Sequence, residues 1–451
     1  MIHFNLKKTA FILSAALLST AVQASGYHFG TQSVNAQGTA NAAAAEAADA
    51  STIFYNPAGL SKIDSSQISV NANIVFPSIH YEAESATDFT GIPVQGSKSG
   101  KITKTTIAPH IYGAYKASDD VTLGLGVYVP FGSATEYEKD SVLRHNINKL
   151  GLTTIAIEPV VAWKLNDRYS FGAGIIAQHT SAELRKYADW GIQQKAKAKA
   201  SGKPDAAIAA AIQADGHADV KGHDWGFGYQ LAWMWDINDR ARVGVNYRSK
   251  VSHTLKGTAD WEADGADAKR AWDLITKLGY VPNEKASVKI VTPESLSVHG
   301  MYRATDKTNL FGDVTWTRHS RFNKAELVFE NNKSVINGKR DRTVITPNWR
   351  NTYKVAFGGS YQVTEPLQLR AGIAFDKSPV KSAEDRMNSL PDGNRIWFSV
   401  GAKYQLGKNH VIDAAYSHIH INDTVYRAGK ASGNDVDSRG ASSARFKNKA
   451  D

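Results

Sequence analysis

Apolar side chains recur at every second position in this chain, in run after run of about ten residues, and few folds accept that pattern. In 121–129, Val121, Leu123, Leu125, Val127 and Val129 share one face, with Thr122, Gly124, Gly126 and Tyr128 on the other. Period two is the signature of a strand with one apolar face. The pattern returns at 68–76, 107–115, 155–165, 171–177, 225–237, 243–247, 296–302, 310–316, 353–361, 367–375, 396–404 and 412–416. The connections alternate as well. Short polar turns at 116–120, 165–168, 236–240, 304–307, 363–366 and 406–409 trade places with long polar loops, clearest at 132–152, 184–223 and 258–286. Short turns at one rim and long loops at the other mark a transmembrane β-barrel whose apolar faces meet lipid. A soluble sandwich or barrel shares the alternation but not the asymmetry of the loops.

Composition agrees. Hydrophobic residues make up only 42% of 451, which excludes a bundle of membrane helices, while 10 Trp, 18 Tyr, 16 Phe and 36 Gly supply strand and turn formers. Tyr115, Trp163, Trp235, Tyr247, Tyr302, Trp316, Tyr361 and Tyr404 stand near strand ends, where interfacial girdles would lie. The chain has no Cys, so disulfides, thiolate metal ligation and a Cys nucleophile are excluded.

Residues 1–24 predict the compartment. Lys7 and Lys8 precede a short apolar run, and Val22-Gln23-Ala24 offers a cleavage site. This is a bacterial secretory signal peptide, too short to span as a helix. Its removal takes those two lysines from the formal charge of +10 and leaves +8. Outside the cytoplasm the basic balance fits an anionic membrane surface rather than nucleic acid. The predicted location is the outer membrane.

Two segments leave the alternation. Residues 25–65, crowded with Ala, Ser, Asn and Gly, predict a plug in the lumen, and residues 66–451 the barrel. The stretch 186–219, with the basic run at 195–203 and the Ala-rich run at 206–214, predicts helix in an external loop whose lysines suit phosphate-bearing lipid. Faces opposite the lipid set carry Glu158, Asp313, Lys403 and Asp413, but also Ile176, Met234, Phe311, Trp397 and Ile419. A porin lumen is polar. Apolar residues pointing inward suit an apolar ligand, with Ile176, Met234, Phe311 and Trp397 as candidate lining, or else packing against the plug. No nucleophile elbow or phosphate loop is present. His418 and His420 share a strand face but lack a third metal ligand nearby. No cofactor, no metal and no catalysed reaction are expected.

The start Ser25-Gly26-Tyr27-His28-Phe29, the stretch 48–63 with Asn56-Pro57-Ala58, and the stretches 130–137, 223–251, 374–380 and 390–406 resemble, in order, the FadL-type long-chain fatty acid transporters. The resemblance implies an all-β, 14-stranded, monomeric antiparallel barrel. Asn56, Pro57 and Ala58 would belong to an N-terminal hatch. The cargo would be long-chain fatty acids or other hydrophobic compounds, aromatic hydrocarbons included. It also implies a lateral opening at a kink in the third strand, here Pro130, Phe131 and Gly132. Basic residues near the inner pocket would meet a carboxylate, and Arg185, Lys186, Arg321 and Lys324 are the candidates. Only 13 complete alternating strands are counted, and residues 442–451 read as the start of a fourteenth whose remainder is absent. A general porin, an adhesin or receptor barrel and an outer-membrane hydrolase are the rival readings.

Overall fold

Strands form where the alternation is cleanest, and their outward side chains are the ones the alternation selects. Ile68, Val70, Leu123, Leu125, Ile175, Phe227, Phe357 and Val400 are all exposed, while their sequence neighbours Asn71, Thr122, Ile176 and Ser399 are buried. The computed structural model describes residues 26–335, 338–430 and 439–451, so the leader at 1–24 lies outside the described residues.

The described strands form one sheet of 22 segments, with antiparallel neighbours throughout. From Gln67–Val75 the ladder passes to Thr106–Lys116, Val121–Tyr128, Ile147–Lys164, Tyr169–Asp189, Asp215–Asp236 and Ala241–Arg248. It continues through Ser295–Thr305, Thr308–Thr317, Thr352–Gln362, Leu367–Asp376, Arg395–Leu406 and His410–Ile421. Arg439–Ala450 joins the two ends of the ladder over its long-loop part only, so among the described residues Gln67–Val75 and residues 410–418 have no strand on that flank, as the reading of 442–451 as only the start of a fourteenth strand expects. It pairs with Pro77–Asp88 on one flank and with Thr424–Ala428 and the end of His410–Ile421 on the other. Segments outnumber the fourteen expected strands partly because runs are interrupted. Only Phe76 separates Gln67–Val75 from Pro77–Asp88, and only residues 129–131 separate Val121–Tyr128 from Gly132–Glu136.

The long-loop rim departs from expectation. Both ends of 132–152, 184–223 and 258–286 are strand, as Tyr169–Asp189 and Asp215–Asp236 keep register from Tyr169↔Trp235 to Asp189↔Asp215. Above the apolar belt, side chains no longer alternate between lipid and lumen, so the pattern fades while the backbone ladder continues. Helix is confined to Ile192–Ala200 and Asp205–Ala211 within the 186–219 stretch. Ala266–Arg270 and Trp272–Lys277 add two further turns of helix. Trp190, Trp261, Trp272, Tyr280 and Phe329 pack these tips into an apolar cluster of their own. Inside that cluster Lys333 and Glu284 form a fully buried pair.

Residues 31–63 lie against inward faces from many sides of the ring. They form four short helical pieces, Val34–Gln37, Ala43–Glu46, Thr52–Tyr55 and Pro57–Lys62. The small-residue composition has a steric cause. A Cβ at Gly372 would stand 2.2 Å from the Thr39 carbonyl carbon, and one at Gly172 would stand 2.4 Å from the Ala58 nitrogen. The two backbones meet only because glycine stands in the wall. Ile53, Phe54 and Leu60 pack with Tyr112, Tyr128, Val160 and Ile176. Ion pairs add to this: Lys62 to Asp236, and Glu46 to Arg370 at 2.6 Å.

Candidate ligand-binding site

The third wall strand breaks where its sequence has Pro130. Val121–Tyr128 pairs on both flanks, then residues 129–131 leave the ladder, and Gly132–Glu136 resumes against Ile147–Lys164. Proline offers no N–H, so the ladder cannot run through. The N-terminal segment fills the gap. Phe29 N–H donates to the Pro130 carbonyl at 2.9 Å, and Gly132 N–H donates to the Tyr27 carbonyl at 2.7 Å. The Phe131 N–H turns to the Thr154 hydroxyl at 2.9 Å. Pro130 and Gly132 are thus joined by hydrogen bonds to residues 27–29, with Phe131 standing opposite His28 between them.

Tyr27 is held tightly. Its ring stacks on Trp349 at 5.5 Å, meets Phe322 edge-on at 5.7 Å and leans on Phe131 at 5.8 Å. Its hydroxyl donates to the Val291 carbonyl at 3.0 Å. Gly26, with φ at +65°, carries the chain past Trp349, where a Cβ would come within 2.8 Å of the indole. Tyr27 lines one cavity and its neighbour His28 lines another.

The first cavity, about 110 Å³, is walled by Tyr27, Leu152, Leu184, Leu255, Phe322 and Leu327 among others, with few polar groups. Its one lining carboxylate, Glu183, is engaged by Lys149 at 2.8 Å. The second, about 90 Å³, is polar and includes His28, Arg248, Asp313, Lys354 and Asp376. Arg248 donates to Glu158 at 3.2 Å and to Gln230 at 2.8 Å, and lies 4.5 Å over the Phe54 ring. Its charge is matched by a fully buried carboxylate. Lys354 differs. Its ammonium stands 4.6 Å over the Trp397 ring; Asp376 lies opposite it in the ladder and Asp313 shares its cavity, but among the described residues no carboxylate is within close ion-pair distance of it. Burial in the lumen holds the His28 imidazole down to about 3, with repulsion from Lys354 and Arg248 in the same direction.

The residues proposed from sequence fall in several places. Ile176 packs under Ile53 and Leu60, and Met234 lies beside Ala58. Phe311 and Trp397 pack with Ala40, Ala42 and Ala43. All four are inward and buried, but none lines the apolar cavity. Arg185 is bound to Asp219 at 2.8 Å, Arg321 to Glu294 at 2.7 Å, and Lys324 to Glu326 at 2.5 Å. Lys186 is buried at the long-loop rim. None of the four lines the polar cavity. Asn56 is fully buried. Its side chain accepts from Ala58 N–H at 3.1 Å, donates to the Trp233 carbonyl at 3.1 Å and meets His299 Nε2 at 2.9 Å. Pro57 opens the helical turn that follows, and Ala58 lies against the Gly172 backbone.

Sequence reading passed over Lys354 and Arg248. Strand parity contained both: Tyr353, Val355 and Phe357 face out, so Lys354 faces in, and Val243, Val245 and Tyr247 place Arg248 inward likewise. The aromatic wall of Tyr27, Phe322 and Trp349 carried no such signal, since its members sit outside regular strands.

Comparison with known proteins is consistent across the length of the chain. A family model described as outer membrane protein transport protein (OMPP1/FadL/TodX) matches residues 15–451. An outer membrane protein of Neisseria meningitidis serogroup B is 80% identical over 450 residues, covering 99% of this chain and 97% of that one. The long-chain fatty acid transport protein of Escherichia coli K12 is 25% identical, covering 93% of this chain and 94% of that one. Among solved structures, a Pseudomonas aeruginosa FadL homologue superposes with a TM-score of 0.82 at 24% identity, covering 94% and 97% of the two chains. The Pseudomonas putida toluene transporter TodX gives 0.63 at 18% identity over 89% and 92%. At these identities the two structures speak for the fold alone.

Proposed function

Because the chain belongs to the OMPP1/FadL/TodX family of outer membrane proteins that transport hydrophobic compounds, we propose that it takes up long-chain fatty acids by passive transport through this barrel. The observation that carries the reading is the pairing of an apolar cavity with Lys354, a lumenal cation that shares its cavity with Asp313 and Asp376 but is held in a close ion pair with neither. The acyl chain occupies the apolar cavity, where each buried methylene contributes about 0.8 kcal/mol. Tyr27 and His28 stand between that cavity and the polar one, and the carboxylate reaches Lys354 when they move aside. Arg248 is bound to Glu158 and serves the wall rather than the ligand.

Residues 25–65 act as the hatch, seated through Asn56, Pro57 and Ala58. Ile176, Met234, Phe311 and Trp397 support it from the wall and influence the ligand through it. Release is lateral. Retraction of residues 27–29 uncovers the gap at Pro130, Phe131 and Gly132, and an apolar cargo leaves into the membrane instead of crossing water. An open gap in a lipid-facing ladder is otherwise costly, since lipid cannot satisfy the freed backbone groups. The protein works as a monomer and catalyses no reaction.

Neutral aromatic hydrocarbons are the competing cargo, and Lys354 separates the two. In purified protein, Lys354→Met should weaken oleate binding tenfold or more and leave toluene binding unchanged. Equal effects on both, or none on oleate, would remove the carboxylate from this site.

A further inference from the structure

The outer wall carries a cluster of basic side chains, three lysines and two histidines, where the closing strand meets the first. Arg439–Ala450 and Pro77–Asp88 pair with Lys447 opposite His80 and Lys449 opposite Ser78. On the far flank His80 lies opposite Lys101, and on the near flank Lys449 lies opposite His420. Directly opposed residues share a face with Cβ atoms about 5 Å apart. Lys101, His80 and Lys447 therefore form one lateral row, and Lys449 and His420 a second row two residues down the closing strand. All five are exposed.

Among the described residues, Lys101, Lys447 and Lys449 have no carboxylate within ion-pair distance. The acids nearby are committed elsewhere or stand higher on the wall. Glu84 holds Arg445, Glu82 lies opposite Arg445, and Asp451 accepts from His418 at 2.7 Å, feeling the Lys449 charge without forming an ion pair with it. The three lysines put several positive charges on one small face, and an anion from outside the chain would offset them.

Its height shows where that anion comes from. Immediately on the short-turn side of the cluster lie Ile74, Phe76, Ile107 and Tyr416, each more than half exposed. They end an apolar face that starts at Ile68. That face is about 20 Å tall, from a rise of about 3.3 Å per residue and a strand tilt near 40°. A lipid-facing lysine is costly at mid-bilayer and nearly free at the interface. The cluster stands at the outer edge of the belt, on the long-loop side, which in such barrels is the cell exterior.

We propose that this face binds an acylated, phosphate-bearing glycolipid of the outer leaflet, the chemistry of lipopolysaccharide. Its phosphates lie between Lys101, Lys447 and Lys449, and its acyl chains lie along Phe76, Ile107 and Tyr416. The site is on the outside of the wall and does not depend on which cargo passes through the lumen.

The test is native mass spectrometry of the full protein in detergent, titrated with diphosphorylated lipid A. A triple variant, Lys101→Gln with Lys447→Gln and Lys449→Gln, should bind it at least tenfold more weakly than wild type. The matched triple to Arg should retain binding, which separates loss of charge from loss of fold. Dephosphorylated lipid A should bind wild type as weakly as the Gln triple binds the intact lipid, and a soluble glucosamine phosphate should compete poorly. Equal lipid A affinity in wild type and the Gln triple would overturn the proposal. So would indifference to the phosphates, and so would full competition by the soluble phosphosugar, which would leave an anion site without a lipid.

Discussion

Replacing Asn56 by alanine should open the lumen without weakening the barrel. The side chain holds the turn from three directions, the Ala58 N–H, the Trp233 carbonyl and His299 Nε2, all within 3.1 Å and the first and last of them buried. Alanine fills none of these roles. The Trp233 carbonyl keeps its place beside the ladder, but the Ala58 N–H and the His299 nitrogen lose their partner. Each stranded buried group costs about 1–3 kcal/mol. Taken together the hatch loses about 3 kcal/mol of seating, which is about a hundredfold in its seated-to-unseated ratio. None of these bonds belongs to the strand ladder. Arg395–Leu406 and His410–Ile421 alone share twelve register pairs that the substitution does not touch. Planar-bilayer conductance of the purified protein should therefore rise, with frequent openings absent from wild type, while the melting temperature by circular dichroism stays close to wild type. Adding Lys62→Met, which removes the pair with Asp236, should increase the open fraction further. A channel that stays closed in Asn56→Ala while the barrel melts at clearly lower temperature would refute this account of the hatch.

Three further outcomes follow from the same geometry. Leu255→Asp buries an unpaired carboxylate in the apolar cavity and should cut oleate affinity at least tenfold, while Phe311→Asp should alter conductance more than affinity; fluorescent fatty acid titration compares them, and the reverse order would exclude the cavity. Pro130→Val with Gly132→Val restores an N–H and a strand-forming residue to the break, and should leave binding intact but slow uptake by cells severalfold; wild-type uptake would mean release elsewhere. The His28 imidazole is held down to about 3 when residues 27–29 are docked, against about 6.5 when they are free. The undocked state takes up the proton, so docking is at full strength above about pH 6.5 and weakens as pH falls toward 3. Channel conductance should rise between pH 7 and pH 4.5 in wild type, and His28→Gln should flatten that rise; an unchanged profile in the variant would place the titrating group elsewhere.

The apolar face of each strand was legible in sequence because lipid acts as a solvent with a single demand, and side chains answer it at every second residue. Leu123 and Leu125 face out for that reason alone, and so do the girdle residues Tyr115, Tyr302 and Tyr404. Strand direction, the ring and the short-turn rim follow from that one periodicity. Parity also assigned Phe311 and Trp397 to the interior, and would have assigned Lys354 had it been followed there. It could not say what each inward residue meets. Phe311 and Trp397 meet Ala40, Ala42 and Ala43 because Gly372 and Gly358 let the N-terminal backbone approach the wall. Nor could it extend the strands above the membrane, where water replaces lipid and backbone pairing continues without any demand on the side chains. The cavities depend on distant parts of the chain meeting: Tyr27 lies against Trp349, and Lys354 faces His28 across the lumen. Contacts separated by more than three hundred residues leave no local pattern, since the free energy that selects them exists only once the ring has closed.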